Sequence, residues 1–580
     1  MKKHINLFMW GYQQHFAWSV AHLAEKLFAE LGVILKPDVL LVGVLRPDEK
    51  DQHPVCVEPE DGKWQLSLFQ EIPKRYPEVV VTHPLQRMFY GDEPSMREKP
   101  EKIRRSSASI VVQETLKSFD RENDVVSFCG SAKPVGGYYV VPVIQVPKSL
   151  FQQFPPLNLP DTGDEFQPKG EHSLIHSALY TLLDDASHDL LGSDPGRSTS
   201  STMRSASQIV GEAAERFMRI PDLLTAARRY GSGDLFQRLN ILSSLFYERK
   251  EGLGSLVLAQ PDSPFVRYSV RFRTPVPLRE SRWARKILQM ASPEIALIAS
   301  DGLIHGLGAI APDHAPETLD AFTVNFLDHY QWELRLGETP LMYSRYREPK
   351  LPQEPVSHDR FVSNYLRLFL SASPADAENF WTLFKACVSI SHGSMLVVAE
   401  DAASEAERLA DQGTPIEPVK MTPDLLERVS GIDGSILLDP SGICHAIGVI
   451  LDGEATSDCS PARGSRFNSA LRYVRSENLP RLAIVTSEDR TIDVVPLLRP
   501  QIPRSVIEEQ ITRLEKASAD NYHAAQSWLD EHRFYFDLNQ CSRINSSLKR
   551  LDDLARDVGE IRYITSVFNP NDKLDDTYLL

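Results

Sequence analysis

The sequence predicts an α/β protein of several domains, in which mixed sheets are flanked by helices. Three observations lead to this fold class. Short apolar runs typical of buried strands alternate with segments of helical periodicity. The chain has 580 residues, too many for one core, because a domain takes roughly 100–200 residues. One stretch of the chain also has a second, divergent copy.

The composition excludes several classes of protein. The residues are 42% hydrophobic and 24% charged, and the formal net charge is −16, which argues against a nucleic-acid surface. Six cysteines without a CxxC pair indicate neither a disulfide framework nor a zinc site. No run of about 18 apolar residues occurs, so no membrane span is expected. A cytoplasmic protein without nucleic-acid or membrane partners is the prediction.

The N-terminal part, residues 1–153, reads as an α/β domain that could act as a sensor. Its predicted elements are a helix over Trp18–Leu31 and strands at Val39–Leu45, Val79–Thr82 and Tyr138–Val146. The Pro-, Asp- and Gly-rich stretch Phe154–Gly170 predicts a linker, followed by a helical connector over 171–234. In that connector His172 and His176 lie four residues apart, but the glutamate of a zinc-binding HExxH motif is missing, so a surface pair is expected.

The internal repeat joins two later stretches. The sequence that begins at Thr274 aligns without a gap with the sequence that begins at Thr414, a shift of 140 residues (414 − 274). Upstream, Gly254-Ser255 matches Gly393-Ser394 at a shift of 139 (393 − 254). Both stretches follow the order Gly-Ser, apolar strand, helix, strand, turn glycine and a strand with a histidine. We interpret residues 235–350 as a degenerate copy of the fold of residues 360–500, with a helical extension over 501–580.

The second copy has a readable series of elements. Thr422-Pro423 is a typical helix start, because the hydroxyl caps the helix and proline fits its first turn. The predicted helices are Ala375–Ser391, a helix from Thr422 to Gly431 and one from about Ser465. The predicted strands are Met395–Ala399, Ser435–Leu438, Ile443–Leu451, Leu482–Thr486 and Ile492–Leu497.

Two short motifs of this copy carry the chemical signal. Asp433-Gly434-Ser435 puts a carboxylate at a strand edge, where it can bind Mg²⁺ or Mn²⁺, beside a glycine that allows close approach. The second motif runs from Gly464 to Ala470, where a Gly-Ser-Arg step opens a helix. Free N–H groups, a hydroxyl and a guanidinium suit a triphosphate. A capping or ion-pair role in a fold without chemistry is the structural alternative.

The ordered motifs resemble the diadenylate cyclase (DAC) domain of the DNA-integrity scanning protein DisA and its relatives, a DisA_N-like nucleotide-binding domain, over about Ala375–Pro500. The family carries Asp-Gly-Ala, then Gly-Thr-Arg-His-Arg-x-Ala, then a Ser-Glu pair matched by Ser487-Glu488. The resemblance implies that Asp433 and Arg466 are catalytic and that Asp433, with Glu488, binds Mg or Mn. It also implies nucleotide contacts from a larger set: Gly434, Ser435, Leu451, Gly464, Ser465, Arg466, Asn468 and Ser469.

The resemblance implies an enzyme that condenses two ATP molecules into cyclic di-AMP and pyrophosphate where two sites meet face to face. One catalytic copy per chain holds half of such a reaction, so a homo-oligomer is expected. The sequence departs from the family at Ser435, and at Phe467 and Asn468, which replace His and the second Arg. A non-catalytic nucleotide-binding sensor of the same fold is the alternative. Either function requires Asp433 and Arg466 to converge on one triphosphate.

Overall fold

In a computed structural model the chain forms two compact units, one of residues 1–352 with 517–524 and 554–565, the other of residues 353–516 with 525–553 and 566–580. The structure describes the chain except residues 1–4, 7, 50–52, 60–63, 65, 162–167, 198–201, 228–230, 232, 247–253, 293, 316–317, 353–355, 357, 391–392, 454–464, 477–478, 487–491, 519–521, 554–566 and 572–573.

The first unit contains two large sheets, one two-stranded sheet and eight α-helices among the described residues. Its helices are α1 (Gln13–Glu30), α2 (Ile72–Thr82), α3 (Glu93–Asn123), α4 (Ser149–Gln153), α5 (Leu174–Asp189), α6 (Ala206–Leu224), α7 (Leu235–Ser244) and α8 (Ser281–Leu288). Its strands are β1 (Ile5–Asn6), β2 (Asp38–Leu45), β3 (Val55–Glu58), β4 (Val125–Cys129), β5 (Lys133–Val135), β6 (Tyr138–Pro147), β7 (Leu157–Leu159), β8 (Gly170–His172), β9 (Gly254–Ala259), β10 (Val266–Pro277), β11 (Ala296–Ser300), β12 (Leu303–Ile310), β13 (Ala321–Asp328), β14 (Gln331–Leu336), β15 (Thr339–Arg345) and β16 (Glu348–Lys350). A short ladder joins β7 and β8.

The N-terminal sheet has the order β1-β3-β2-β6-β4, with β5 on β6. Side chains alternate between its two faces: Leu41 packs with α1 and α5, whereas Leu40 and Val42 pack with α2 and α3. The predicted strand at Val79–Thr82 is wrong, because these residues form the last turns of α2. They are half-buried or exposed, and α2, of which they are part, packs on α3. This helix packing outweighs the strand propensity of the valines.

The second unit has one six-stranded sheet and helices on both sides. Its helices are α9 (His358–Leu368), α10 (Pro374–Ser389), α11 (Ala402–Arg408), α12 (Pro423–Val429), α13 (Ser465–Arg475), α14 (Arg504–Glu515), α15 (His523–Glu531) and α16 (Leu538–Asp552). Its strands are β17 (Ser394–Ala399), β18 (Thr414–Lys420), β19 (Ser435–Leu438), β20 (Ile443–Val449), β21 (Arg481–Thr486) and β22 (Ile492–Val495).

Strand β17 shows how the layers of the second unit form. Leu396 and Val398 face a core built with α9, α10 and α12, while Met395 and Val397 face a second core with α11 and α13. All six residues of β17 are buried, as expected for a strand covered on both sides. The α/β fold class is confirmed, with mixed sheets and flanking helices.

The repeat is visible in the strand order of two sheets. The second sheet of the first unit runs β10-β12-β11-β9-β13-β14, followed by β15 and β16, and the sheet of the second unit runs β18-β20-β19-β17-β21-β22. In both, the pair of central strands is parallel, β9 with β11 and β17 with β19, and the other neighbours are antiparallel. The aligned stretches therefore form sheets of one topology.

The two copies differ in their helices. The second copy carries α11 between β17 and β18, and α13 between β20 and β21. The described residues at the corresponding places of the first copy, 260–265 and 311–320, form no helix. The helix that carries Arg466 thus has no counterpart among the described residues of the first copy.

Candidate functional site

Asp433 stands in the turn between α12 and β19. Thr422 caps α12, accepting a hydrogen bond from the N–H of Leu425, and the helix ends at Val429 with a short turn before the strand. The Asp433 side chain is 98% exposed, and its Oδ1 accepts a hydrogen bond from the N–H of Gly434 at 3.1 Å. A carboxylate in this position is open to a ligand from solvent.

Two glycines keep the backbone bare beside Asp433. Gly434 has φ +111°, and a Cβ there would stand 2.5 Å from the carbonyl carbon of Gly448. Gly448 has φ +63°, and a Cβ there would meet the Ile432 side chain at 2.8 Å. Any larger residue would separate the start of β19 from the end of β20. The exposed Ile432, at 50%, borders this pair of glycines.

Arg466 reaches the same place from α13. Its Nη2 lies 3.8 Å from Oδ1 of Asp433. The guanidinium also lies directly against Gly393, where a Cβ would stand 3.0 Å from Cζ of Arg466. Gly393 comes immediately before β17, so a carboxylate, a bare backbone step and a guanidinium from three elements meet. The convergence of Asp433 and Arg466 that the sequence requires is present.

The first turn of α13 supplies the remaining predicted groups. Ser465 is exposed and opens the helix, while Phe467, Asn468 and Ser469 are half-buried. The N-terminal N–H groups of a helix have no acceptor within the helix and favour anions. Two of the predicted residues, Gly464 and Glu488, lie outside the described residues, as does Ser487.

Two predicted nucleotide contacts lie in the interior. Ser435 is fully buried and its hydroxyl donates to the carbonyl of Val449 at 3.0 Å. Leu451 is 8% exposed and belongs to the core formed with α11 and α13. All four residues of β19 are buried, so Ser435 is enclosed because this strand is covered on both faces. In this arrangement neither side chain faces the opening beside Asp433.

A buried charge network holds α13 in place. The fully buried Arg481 on β21 lies with Nη2 at 3.1 Å from Oε2 of Glu405 and 3.4 Å from Oδ2 of Asp401. Its Cζ stacks 4.1 Å from the centre of the Tyr473 ring, and the Tyr473 hydroxyl donates to Glu405 at 2.8 Å. Tyr473 lies on α13, so the helix that carries Arg466 is tied to the sheet and to α11.

The same network reaches the end of β20. Arg408 donates to Oε1 of Glu405 at 2.6 Å and forms a two-pronged pair with Asp452 at 2.6 and 2.9 Å. Hydrogen bonds from Arg408 hold the pKa of Glu405 below its ordinary value, against burial, which raises it. No sequence motif predicts this network, because its residues are spread over 80 positions (481 − 401).

The histidines behave as ordinary structural residues. His445 lies with Nε2 3.1 Å from Oδ2 of Asp439, as expected of a satisfied strand histidine. The expected surface pair in the connector is wrong for His176, which is 7% exposed and lies 2.8 Å from the Ser173 hydroxyl. Burial lowers the pKa of His176 to about 4. Among the described residues no cluster of three His, Cys, Asp or Glu side chains could hold a metal.

The exposed Asp433 carboxylate could serve as one ligand of a magnesium or manganese ion. Mg²⁺ commonly binds through one or two carboxylates, with waters and substrate phosphates completing its coordination. Asp433 offers one such carboxylate in the open, next to a guanidinium suited to phosphate.

No helix among the described residues combines the length and apolar character needed to cross a bilayer.

Comparison with known protein families gives two matches, both outside the Asp433 region. Residues 9–218 match the family described as "Probable sensor domain DACNG", and residues 233–338 match "Probable sensor domain DACNH". The chain is thus related to the DAC-type proteins, and the segments so matched are named as sensor domains. Residues 233–338 cover most of the stretch interpreted above as the degenerate copy.

Comparisons with individual proteins add little. No curated protein matches the chain. DacA from Staphylococcus aureus, in a double mutant with two introduced cysteines, is 18% identical over 24% of this chain and 97% of that one, with a TM-score of 0.19. A hypothetical membrane-spanning protein from Bacillus cereus is 20% identical over 21% of this chain and 63% of that one, with a TM-score of 0.17. At TM-scores this low neither likeness bears on function.

Proposed function

We propose that the second unit binds ATP beside Asp433 and Arg466, and that two such sites condense two ATP molecules into cyclic di-AMP and pyrophosphate. The matched segments 9–218 and 233–338 would then sense a signal that sets this activity. The observation that carries the proposal is the meeting of Asp433, Gly393 and Arg466, with 3.8 Å between Oδ1 of Asp433 and Nη2 of Arg466. These residues come from three motifs up to 73 positions apart (466 − 393).

The difference between the two copies of the fold supports an active role for the second. Both have the same six-strand order, yet only the second has α11 and α13 among its described residues. If the second copy had only a structural role, its sheet would need neither Arg466 nor the buried contacts of Arg481 and Tyr473 with Glu405 that hold α13. Because a buried ion pair is weak evidence for stability, an interpretation in terms of positioning is favoured.

Each residue has a distinct part in the proposed reaction. Arg466 binds phosphate oxygens through its planar guanidinium, and the N–H groups at the start of α13 add to the attraction. Gly434 and Gly448 leave space for a sugar or a base to lie on the backbone. Asp433 would hold a magnesium or manganese ion, which would supply positive charge beside the 3′-hydroxyl. The 3′-oxygen gives up its proton to water and forms a bond to the α-phosphorus of the facing ATP. Pyrophosphate leaves as the α-phosphorus bond to its bridging oxygen breaks.

The second candidate is a nucleotide receptor without catalysis. Asn468 stands where the DAC family has its second arginine, so one positive charge is missing at the phosphates. An amide replaces neither the charge nor the fork geometry of a guanidinium. Binding would survive through Arg466, whereas stabilisation of the charge that develops during transfer would be reduced.

Product formation separates the two candidates. The full chain is incubated with ATP and manganese, and cyclic di-AMP is followed by chromatography, with ATP affinity measured by calorimetry. Arg466→Gln is expected to weaken ATP binding roughly 10–100-fold, the loss of a charged hydrogen bond, and Asp433→Asn to abolish product. Exposed neighbours on α12 provide matched controls, Arg428→Gln and Glu427→Gln, which should behave as wild type.

The outcomes are distinct. Product that disappears only in the Asp433 and Arg466 variants supports the cyclase. Saturable ATP binding without product favours the receptor. Wild-type protein that binds no ATP, or equal losses in the control variants, would contradict both functions.

A further inference from the structure

Three arginines of the second unit lie on α9 and on the segment packed against it, and none of them forms an ion pair among the described residues. Arg360 and Arg367 lie seven residues apart on α9 and therefore on one face of it, and Arg499 follows β22. Asn364, between them on that face, donates to the carbonyl of Pro496 at 3.2 Å and accepts from the N–H of Leu498 at 2.8 Å. These bonds fix α9 against the segment that carries Arg499. We call Arg360, Arg367 and Arg499 the arginine cluster.

Aromatic rings order two of the three guanidiniums. Cζ of Arg367 lies 4.9 Å from the centre of the Tyr578 ring, and Cζ of Arg499 lies 4.9 Å from the centre of the Phe534 ring. The two rings meet edge to face, 4.8 Å apart at 74°. Arg367 also donates from Nη1 to the carbonyl of Arg499 at 2.8 Å. Such stacking holds guanidiniums in place without neutralising them.

The arginine cluster lacks counter-charges. Within the described part of the chain, none of its three members forms an ion pair, whereas other arginines of this unit do: Arg504 with Asp576, Arg533 with Asp530, and Arg543 with Glu508 and Glu515. Nε and Nη2 of Arg367 are buried without a hydrogen-bond acceptor. On a protein with a net charge of −16, this concentration of unpaired positive charge is unusual, and an anion would relieve its self-repulsion.

The charges of all three arginines affect the pKa of Tyr535. Its hydroxyl donates to the carbonyl of Pro500 at 2.8 Å. Burial raises the pKa of Tyr535, while the charges of Arg499, Arg367 and Arg360 oppose that rise. Arg367 contacts the backbone of Arg499 directly, and Arg360 lies two turns before Arg367 on the same face of α9.

We propose that the arginine cluster binds a phosphate-bearing anion with at least two negative charges. Arg360 and Arg499 are exposed and Arg367 is half-buried, so the two outer guanidiniums would contact the ligand and Arg367 would add its charge from beneath. Three guanidiniums exceed what one carboxylate can accept, whereas a diphosphate offers several oxygens in the geometry that arginine prefers. Free pyrophosphate and the phosphates of a nucleotide share this chemistry.

Calorimetry with inorganic pyrophosphate tests the assignment. The full chain carrying Arg466→Gln is used, so that binding beside Asp433 does not contribute. Saturable binding is expected, and it should weaken at least about tenfold on Arg360→Gln or Arg499→Gln, the loss of one charge-assisted contact. Arg513→Gln, an exposed arginine of α14 in the same unit, is the matched control and should bind like the parent. A parallel titration with ATP distinguishes a nucleotide ligand from the free diphosphate.

Either of two results would overturn the proposal: no saturable binding of pyrophosphate or ATP by the parent protein, or equal binding by the cluster variants and the control. Thermal unfolding of each variant accompanies the titrations. If Arg360→Gln and Arg499→Gln lower the melting temperature while leaving binding unchanged, the arginine cluster stabilises the fold and is not an anion-binding site. Retained binding in the Arg466→Gln background also separates this site from the proposed ATP site.

Discussion

Replacement of Gly434 by alanine tests the backbone contact that shapes the opening beside Asp433. At φ +111° a residue with a Cβ is strained by about 1–3 kcal/mol. The added Cβ would also stand 2.5 Å from the carbonyl carbon of Gly448, well inside ordinary contact, and forced overpacking costs about 1–3 kcal/mol. The free energy of unfolding of the second unit should therefore fall by about 2–6 kcal/mol, the sum of the two costs.

The matched control is Gly431→Ala, three residues earlier in the same turn. A Cβ at Gly431 meets nothing within 4 Å and its φ is not positive, so a change within about 0.5 kcal/mol is expected. Urea denaturation is followed by hydrogen exchange in peptides covering β19 and β20, because these report the second unit alone. With a slope of about 2 kcal/mol per molar urea, the midpoint for Gly434→Ala should drop by ~1–3 M.

A midpoint for Gly434→Ala equal to that of Gly431→Ala would refute the argument, since the close approach of Gly434 and Gly448 would then cost nothing to break. A large loss of stability with unchanged ATP affinity would be equally informative. It would separate the contact between the glycines from the binding of a nucleotide.

Three further changes have definite expectations. Gly393→Ala should leave stability within about 1 kcal/mol, because the clash falls on the flexible end of Arg466, but should change ATP affinity measured by calorimetry. Arg481→Met should destabilise the second unit by about 1–3 kcal/mol in urea, because the buried Glu405 loses one of its two arginine partners and keeps only Arg408; an unchanged midpoint would show that Arg481 is dispensable. His176 is neutral when folded, so its unfolded form binds more protons below about pH 6.5, and stability should fall by about 2 kcal/mol from about pH 7 to about pH 5, a loss that is absent in His176→Gln.

Motif order made the meeting of Asp433 and Arg466 predictable. Each motif sits where a strand edge or a helix start is readable from local sequence, such as the Thr422-Pro423 step that begins α12. Asp433 directly precedes the strand β19 and Arg466 lies in the first turn of the helix α13, so identifying these two elements correctly is the step on which the prediction depends. The ungapped alignment predicted two copies of one fold, and the two sheets share one order of six strands.

Other parts could not be read from local pattern. The helix α3, 31 residues long, contains Pro94 and Pro100 and many charges, so no apolar stripe of regular period marks it. The burial of Ser435 depends on the layers that cover β19 on both faces. Arg481 is wholly buried only because Glu405 and Tyr473 enclose it, and this is a property of the assembled layers.

Glu405 binds both Arg408 and Tyr473, and these two contacts have a consequence for the stretch 454–464. Asp452, just before it, is held to Glu405 through Arg408, and Tyr473, on the helix after it, bonds to Glu405 directly. Asp452 before the stretch and Tyr473 after it are thus both connected to the carboxylate of Glu405. Lengthening a connection between fixed ends costs little, about 0.6 kcal/mol per doubling, so residues added within 454–464 should leave Arg466 in its place.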